Sequence, residues 1–210
     1  MDSGKVLAGV RLLPVVVIDH AAQAIPLAET LTTAGIEAIE ITLRTDAGLA
    51  AIEAVADAVA NTGSRMLVGA GSVVNVQQLK QVQDAGACFA VSPGHTDRLL
   101  EAAEGFPYVP GAATAAECMH LLSHGYRLQK FFPAESSGGV KTINALAAPM
   151  PELRFCVTGG ITPANVADYL ACPAVSCIGG SWFVPAQSLQ AGDFETIGRL
   201  ARDAVALTRS

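Results

Sequence analysis

Short runs of Val, Ile, Ala and Leu recur along the chain about every 20 to 28 residues, and longer stretches with helical spacing of apolar positions separate them, the alternation expected of successive βα units. The runs predict strands over Arg11–Asp19, Ala38–Arg44, Met66–Ser72, Phe89–Gly94, Tyr108–Ala112, Leu128–Pro133, Phe155–Gly159 and Ser176–Gly180. Between them, Ala- and Leu-rich segments predict helices, among them Ala21–Thr33, Leu49–Ala60, Val76–Ala85, Ala115–Ser123 and Ala164–Leu170. Asn75, Thr96, Thr114 and the pair Thr162-Pro163 stand where helices should start, and Gly35, Gly86 and Gly125 where they should stop. Roughly eight βα units fit the lower size limit of a (β/α)8 TIM barrel of the α/β class, whereas an open doubly wound sheet usually has fewer strands. The amphipathic stretch from Ser3 to Gly9 predicts a short extra N-terminal helix over the barrel floor. No linker, charge run or low-complexity tract divides residues 1–210, so one barrel domain is expected.

Composition narrows the partners. The formal net charge is −6 and Lys and Arg form no run, which leaves no electrostatic footprint for nucleic acid or an anionic membrane. Any phosphate must therefore be held locally. The apolar run from Val10 to Ile18 is interrupted by Arg11 and Pro14 and falls short of the roughly 18 to 20 residues of a membrane span, so no membrane partner and a cytoplasmic location are expected. Cys88, Cys118, Cys156, Cys172 and Cys177 are odd in number, lack CxxC spacing and sit mostly in apolar stretches, which predicts reduced, buried packing residues.

Strand alternation over 38–44 places Glu40, Thr42 and Arg44 on one face and Ile39, Ile41 and Leu43 on the other. In a barrel the helices cover the outer face, so the aliphatic residues belong outside and Glu40 and Arg44 point into the barrel or its mouth. A charge held there is costly unless it is paired or functional; a solvated edge strand is the plain alternative. Among the lysines, Lys5, Lys80 and Lys141 fall in polar or helical surroundings, and only Lys130 lies inside a predicted strand, in Leu128-Gln129-Lys130-Phe131-Phe132-Pro133. An amine attacks a carbonyl only when neutral, and desolvation beside aromatic rings together with a second cation such as Arg44 would lower the lysine pKa from about 10.4. A lysine snorkelling out of the strand end is the alternative.

Two glycine-rich strand ends close the chain's pattern, Thr158-Gly159-Gly160-Ile161 and Gly179-Gly180-Ser181-Trp182. Barrels often bind phosphate after their last two strands, because glycine lets backbone N–H groups approach the anion; tight turns without a ligand are the competing reading. The other strand ends, Gly69-Ala70-Gly71-Ser72, Ser92-Pro93-Gly94 and Pro110-Gly111, carry small residues that leave an open mouth. Ser72 is placed to donate to a carboxylate or to cap the next helix. His120 and His124 have i, i+4 spacing but lack the glutamate of HExxH and belong to an outer helix, so no metal site is expected. His95 follows a strand end, where it either touches substrate or is solvated.

These segments together resemble the bacterial 2-keto-3-deoxy-6-phosphogluconate aldolases, also described as 4-hydroxy-2-oxoglutarate aldolases. The likeness runs over nearly the whole chain and is carried by Glu40-Ile41-Thr42-Leu43-Arg44-Thr45, Val68-Gly69-Ala70-Gly71-Ser72-Val73, Ser92-Pro93-Gly94, Lys130-Phe131-Phe132-Pro133-Ala134-Glu135, Thr158-Gly159-Gly160-Ile161 and Ile178-Gly179-Gly180-Ser181-Trp182. The resemblance implies Lys130 as Schiff-base nucleophile, Glu40 as proton shuttle, and Arg44 with Ser72 as the hold on a pyruvate carboxylate. It further implies phosphate binding at Gly159, Gly160, Gly180 and Ser181, no cofactor, and a homotrimer. Thr42, Pro93, Phe132 and Thr158 complete the candidate substrate contacts. Ser72 departs from the family's usual threonine, which keeps the hydroxyl but loosens its packing.

The expected activity is class I cleavage of a phosphorylated keto-deoxy sugar acid to pyruvate and glyceraldehyde 3-phosphate, with 4-hydroxy-2-oxoglutarate as a second substrate. The alternatives are a pyruvate aldolase for the galactonate epimer, a phosphosugar epimerase or isomerase barrel, and a non-catalytic oligomeric scaffold.

Overall fold

Every apolar run becomes a parallel strand in the computed structural model, which describes residues 3–208. The strands are β1 (Leu12–Val16), β2 (Ala38–Thr42), β3 (Leu67–Gly71), β4 (Phe89–Val91), β5 (Tyr108–Val109), β6 (Gly111–Ala112), β7 (Leu128–Phe131), β8 (Arg154–Thr158) and β9 (Val175–Gly180). They pair in the order β5-β4-β3-β2-β1-β9-β8-β7-β6. β5 and β6 are two halves of one stave interrupted by Pro110, which has no N–H to give the ladder. β5 pairs with β4 and β6 with β7, and the Pro110 carbonyl accepts from the Lys130 N–H at 2.8 Å, so the single stave closes the barrel. The sheet is thus the expected (β/α)8 barrel.

Ten α-helices accompany the strands among the described residues: α1 (Ser3–Val6), α2 (Ala24–Thr33), α3 (Gly48–Thr62), α4 (Val76–Asp84), α5 (Asp97–Ala102), α6 (Ala115–Ser123), α7 (Gly139–Ala147), α8 (Val166–Leu170), α9 (Ala186–Gln190) and α10 (Phe194–Leu207). Asn75, Thr96 and Thr114 cap α4, α5 and α6 as their positions predict, and Thr114 forms a full capping box with Glu117. Gly35, Gly86 and Gly125 all take positive φ just past helix ends. Thr162-Pro163 does not start α8. The helix begins later, at Val166, because the Asn165 side chain accepts from Thr162 N at 2.8 Å and gives to the Gly160 carbonyl at 3.0 Å, holding 161–165 as a turn. α9 and α10 follow the last strand, beyond the elements the apolar pattern resolves singly.

Two apolar layers result. Outward-facing residues such as Ile39, Ile41 and Ile178 pack under the helices at 0 % exposure, each burial contributing about 1.5–3 kcal/mol. Inward-facing Leu13, Ala38, Phe89, Val109, Leu128, Cys156 and Cys177 fill the lower barrel, and Leu7 and Val10 from the N-terminal segment pack against them as a floor. The regular helix there is shorter than Ser3 to Gly9 because the chain turns after Val6 and reaches Gly9 at φ +86°. Cys118, Cys156, Cys172 and Cys177 are buried free thiols, whereas Cys88, placed just before β4, is exposed. Among the described residues, no helix is long and apolar enough to cross a membrane.

Candidate active site

Strand alternation delivers Glu40 and Lys130 to the same interior space from opposite sides of the barrel. Glu40 is completely buried on β2, between outward-facing Ile39 and Ile41, and Lys130 is 5 % exposed on β7. Lys130 Nζ donates to Glu40 Oε1 at 3.2 Å. The amine also lies 5.5 Å from the centroid of the Phe132 ring, whose edge reaches solvent. Lys5, Lys80 and Lys141 are all exposed, so one lysine among four occupies the interior. Lys130 therefore does not snorkel.

Two buried oxygens in this space have no hydrogen-bond partner, Glu40 Oε2 and Thr158 Oγ1. A buried polar atom left unsatisfied costs roughly 1–3 kcal/mol, and such groups persist where a ligand completes them. Thr158 ends β8 and stands beside Gly179 of β9 in the register. Thr42 is different. Its hydroxyl donates to the Val16 carbonyl at 2.9 Å and stitches β2 to β1. Its lone pairs alone remain for a substrate.

Arg44 lies beyond the end of the strand predicted to hold it. β2 ends at Thr42, and Arg44 lies in the turn before α3, exposed and outside the ion pairs formed among the described residues. The turn is forced by closeness: a β-carbon on Gly48 would stand 3.4 Å from Leu43 Cα and closer still to the Thr42 carbonyl, so only glycine lets α3 start against the strand end. Arg44 therefore follows the strand end and sits exposed at the rim. Ser72 follows β3 with φ +60°, the sole non-glycine residue in that region among those described. It does not cap α4, a task Asn75 performs by accepting from Gln78 N. Pro93 is exposed at the rim.

Gly159 and Gly160 both take positive φ, +107° and +80°, immediately after β8, and Gly180 with exposed Ser181 ends the neighbouring β9. The two glycine-rich ends are thus adjacent. A β-carbon on Gly160 would lie 2.7 Å from Glu135 Cγ. Glu135 accepts in turn from the Tyr169 hydroxyl, and burial together with that carboxylate pushes the phenol well above its usual range.

Sequence reasoning did not single out Asn165, Tyr169 or Glu135 as neighbours of this turn. Asn165 alone left a signal, as a turn-forming residue before a helix. His95 is neither free nor turned to the interior: its Nδ1 bonds the Gly111 carbonyl at 2.9 Å and its ring stacks on His120 at 5.4 Å. His120 pairs with Asp97 at 2.9 Å, and His124 tilts against it at 4.6 Å. No group of three or more His, Cys, Asp or Glu among the described residues is arranged to hold a metal ion.

A family model for KDPG and KHG aldolases matches residues 4–200. The chain belongs to that aldolase family. It is 50% identical over 196 residues to the KHG/KDPG aldolase of Escherichia coli K12, covering 92% of this chain and 90% of that one. It is 47% identical to the 2-dehydro-3-deoxy-phosphogluconate aldolase of Dickeya dadantii, with 96% and 94% covered. The KDPG aldolase of Legionella pneumophila, solved with pyruvate captured as a covalent carbinolamine, superimposes with a TM-score of 0.90 at 40% identity over 97% of this chain and 98% of that one.

Proposed function

We propose that this member of the family is a class I aldolase that cleaves 2-keto-3-deoxy-6-phosphogluconate to pyruvate and glyceraldehyde 3-phosphate through a Schiff base on Lys130. The observation that carries the reading is a buried amine 3.2 Å from a buried carboxyl group, in a family whose Legionella member holds pyruvate as a covalent carbinolamine.

Lys130 passes its ammonium proton to Glu40 and adds to the C2 carbonyl as the neutral amine; one nitrogen proton and the proton held by Glu40 then go to the carbinolamine oxygen, so that water leaves, a protonated imine forms and Glu40 is left as the carboxylate. Glu40 then takes the C4 hydroxyl proton. The C3–C4 electron pair flows into the imine, glyceraldehyde 3-phosphate departs, and an enamine remains. Glu40 returns a proton to C3, and water hydrolyses the imine to free pyruvate and Lys130. The unpartnered Glu40 Oε2 and Thr158 Oγ1 supply the open hydrogen-bonding positions such a substrate needs. Ser72 and the rim residue Arg44 bind the carboxylate, and Thr42, Pro93 and Phe132 line the approach. The Gly159-Gly160 turn and the Gly180-Ser181 strand end bind the phosphate, a role that positive-φ glycine amides suit.

4-Hydroxy-2-oxoglutarate is the second substrate, a reading favoured by the likeness to the Escherichia coli enzyme with the double name. The working form is a cytoplasmic homotrimer, as the family resemblance implies. Borohydride reduction in the presence of pyruvate, followed by peptide mapping, tests the core of the proposal. An adduct on Lys130 is expected; an adduct on Lys80 or Lys141, or none, overturns it.

A further inference from the structure

We propose that Gly71 is a positioning residue for Glu40: its missing side chain is the space that the Glu40 carboxyl group occupies, and it thereby sets the reach of that group to Lys130. The inference rests on the assignment of Glu40 as the proton carrier.

A glycine in a strand interior weakens the strand and calls for a reason. The backbone supplies none here, because Gly71 is absent from the residues with positive φ and its conformation is open to alanine. Space supplies it. A β-carbon built on Gly71 would stand 2.7 Å from Glu40 Cγ and 2.8 Å from Cδ, and nearer still to Oε1, all below the 3.0 Å that real β-carbons respect. Oε1 is the oxygen that accepts from Lys130 Nζ at 3.2 Å. Glu40 pairs in register with Gly69 and Thr42 with Gly71, so the glutamate side chain leans one pleat toward the mouth and rests on the strand beside it. Glu40 is 0 % exposed, and Gly71 lies on the barrel side of β3 together with Gly69. A methyl group at position 71 therefore moves the atom that makes the catalytic contact.

Gly69 provides a matched control on the same strand. A β-carbon there would come within 2.5 Å of Phe89 Cε1 and closer to Cζ and Cε2, so its three nearest neighbours all belong to that ring and none to Glu40.

The test compares Gly71→Ala, Glu40→Asp and their combination, with Gly69→Ala beside them. A misplacement of about 1 Å costs roughly 100-fold in rate, so Gly71→Ala is expected to lower kcat by about that factor with KM nearly unchanged. Shortening the carboxylate arm removes the closest of the three contacts, that with Oε1, and lets the shorter side chain turn away from position 71. Glu40→Asp should therefore cost less when position 71 is alanine than when it is glycine. In the Gly69→Ala background the cost of Glu40→Asp should be unchanged. Additive losses in the combined variant, or wild-type turnover in Gly71→Ala, overturn the proposal.

If Gly71→Ala fails to fold, thermal unfolding of Gly71→Ala/Glu40→Ala decides. Recovery of a cooperative transition places the contact on Glu40, and continued failure to fold overturns it. Glu40→Gln keeps the two readings apart. Full activity of that variant sinks the proton-carrier assignment, and the unfolding comparison still judges the steric relation.

Discussion

Lys130 Nζ and Glu40 Oε1 lie 3.2 Å apart although 90 positions separate them in the chain, and together they form the one ion pair with both side chains buried among the described residues. Pairs of this kind are weak sources of stability and strong constraints on geometry, since removing one partner leaves the other stranded.

Lys130→Met should abolish borohydride trapping of pyruvate and leave both Glu40 oxygens without a donor. A loss of about 3–5 kcal/mol in unfolding free energy is expected, and Lys130→Met/Glu40→Leu should regain most of it. Chemical denaturation of the three proteins checks this. Glu40→Gln should retain the covalent lysine but turn over roughly 10² to 10⁴ times more slowly, measured as pyruvate release.

Ser181→Ala tests the phosphate end with little effect on the fold, because Ser181 is exposed. kcat/KM for the phosphorylated substrate should fall about tenfold, the worth of roughly 1.4 kcal/mol, while that for 4-hydroxy-2-oxoglutarate stays unchanged. Equal losses on both substrates would place the hydroxyl elsewhere in the reaction.

Thiol titration of the native protein should find one fast cysteine, the exposed Cys88, and four slow ones. Within the barrel, the hydrogen bond with Cys156, burial and the nearby Glu40 carboxyl push the Cys177 thiol well above its usual range, so it stays protonated and unreactive. Cys88→Ser should remove the fast phase; a second fast thiol would show that the barrel opens.

The capping box of α6 gives a pH signature. Burial alone would raise the Glu117 carboxyl, but the bonds from Ala113 and Thr114 hold it below the usual range. A carboxyl depressed in the folded state stabilises the protein above its unfolded pKa, and that stabilisation is lost as pH falls through the folded value. Thr114→Ala should lower stability by about 1 kcal/mol at neutral pH. The difference in melting temperature between wild type and Glu117→Gln should narrow on acidification below about pH 4.5.

The barrel was legible because two periodicities alternate cleanly, with Ile39 and Ile41 marking the outer face and Glu40 the inner one. The same pattern overran at Arg44. Alternation continues through Leu43 and Arg44 on paper, but the chain has already left the sheet, and the glycine that permits the early turn, Gly48, lies beyond the apolar run. Lys130 was legible by elimination and context. The contacts that shape the Gly159-Gly160 turn were not, since Glu135, Tyr169 and Asn165 come from separate elements and meet only after folding. His95 carried an ambiguous signal, and its bond to the Gly111 carbonyl depends on how the stave around Pro110 is set.

The floor built by Leu7 and Val10 makes the barrel a cul-de-sac. In the proposed catalyst, reactants and products pass at the opposite end, where the strands finish at Gly71, Thr158 and Gly180. A few aliphatic side chains far from the chemistry thus help keep the Lys130 amine only 5 % exposed.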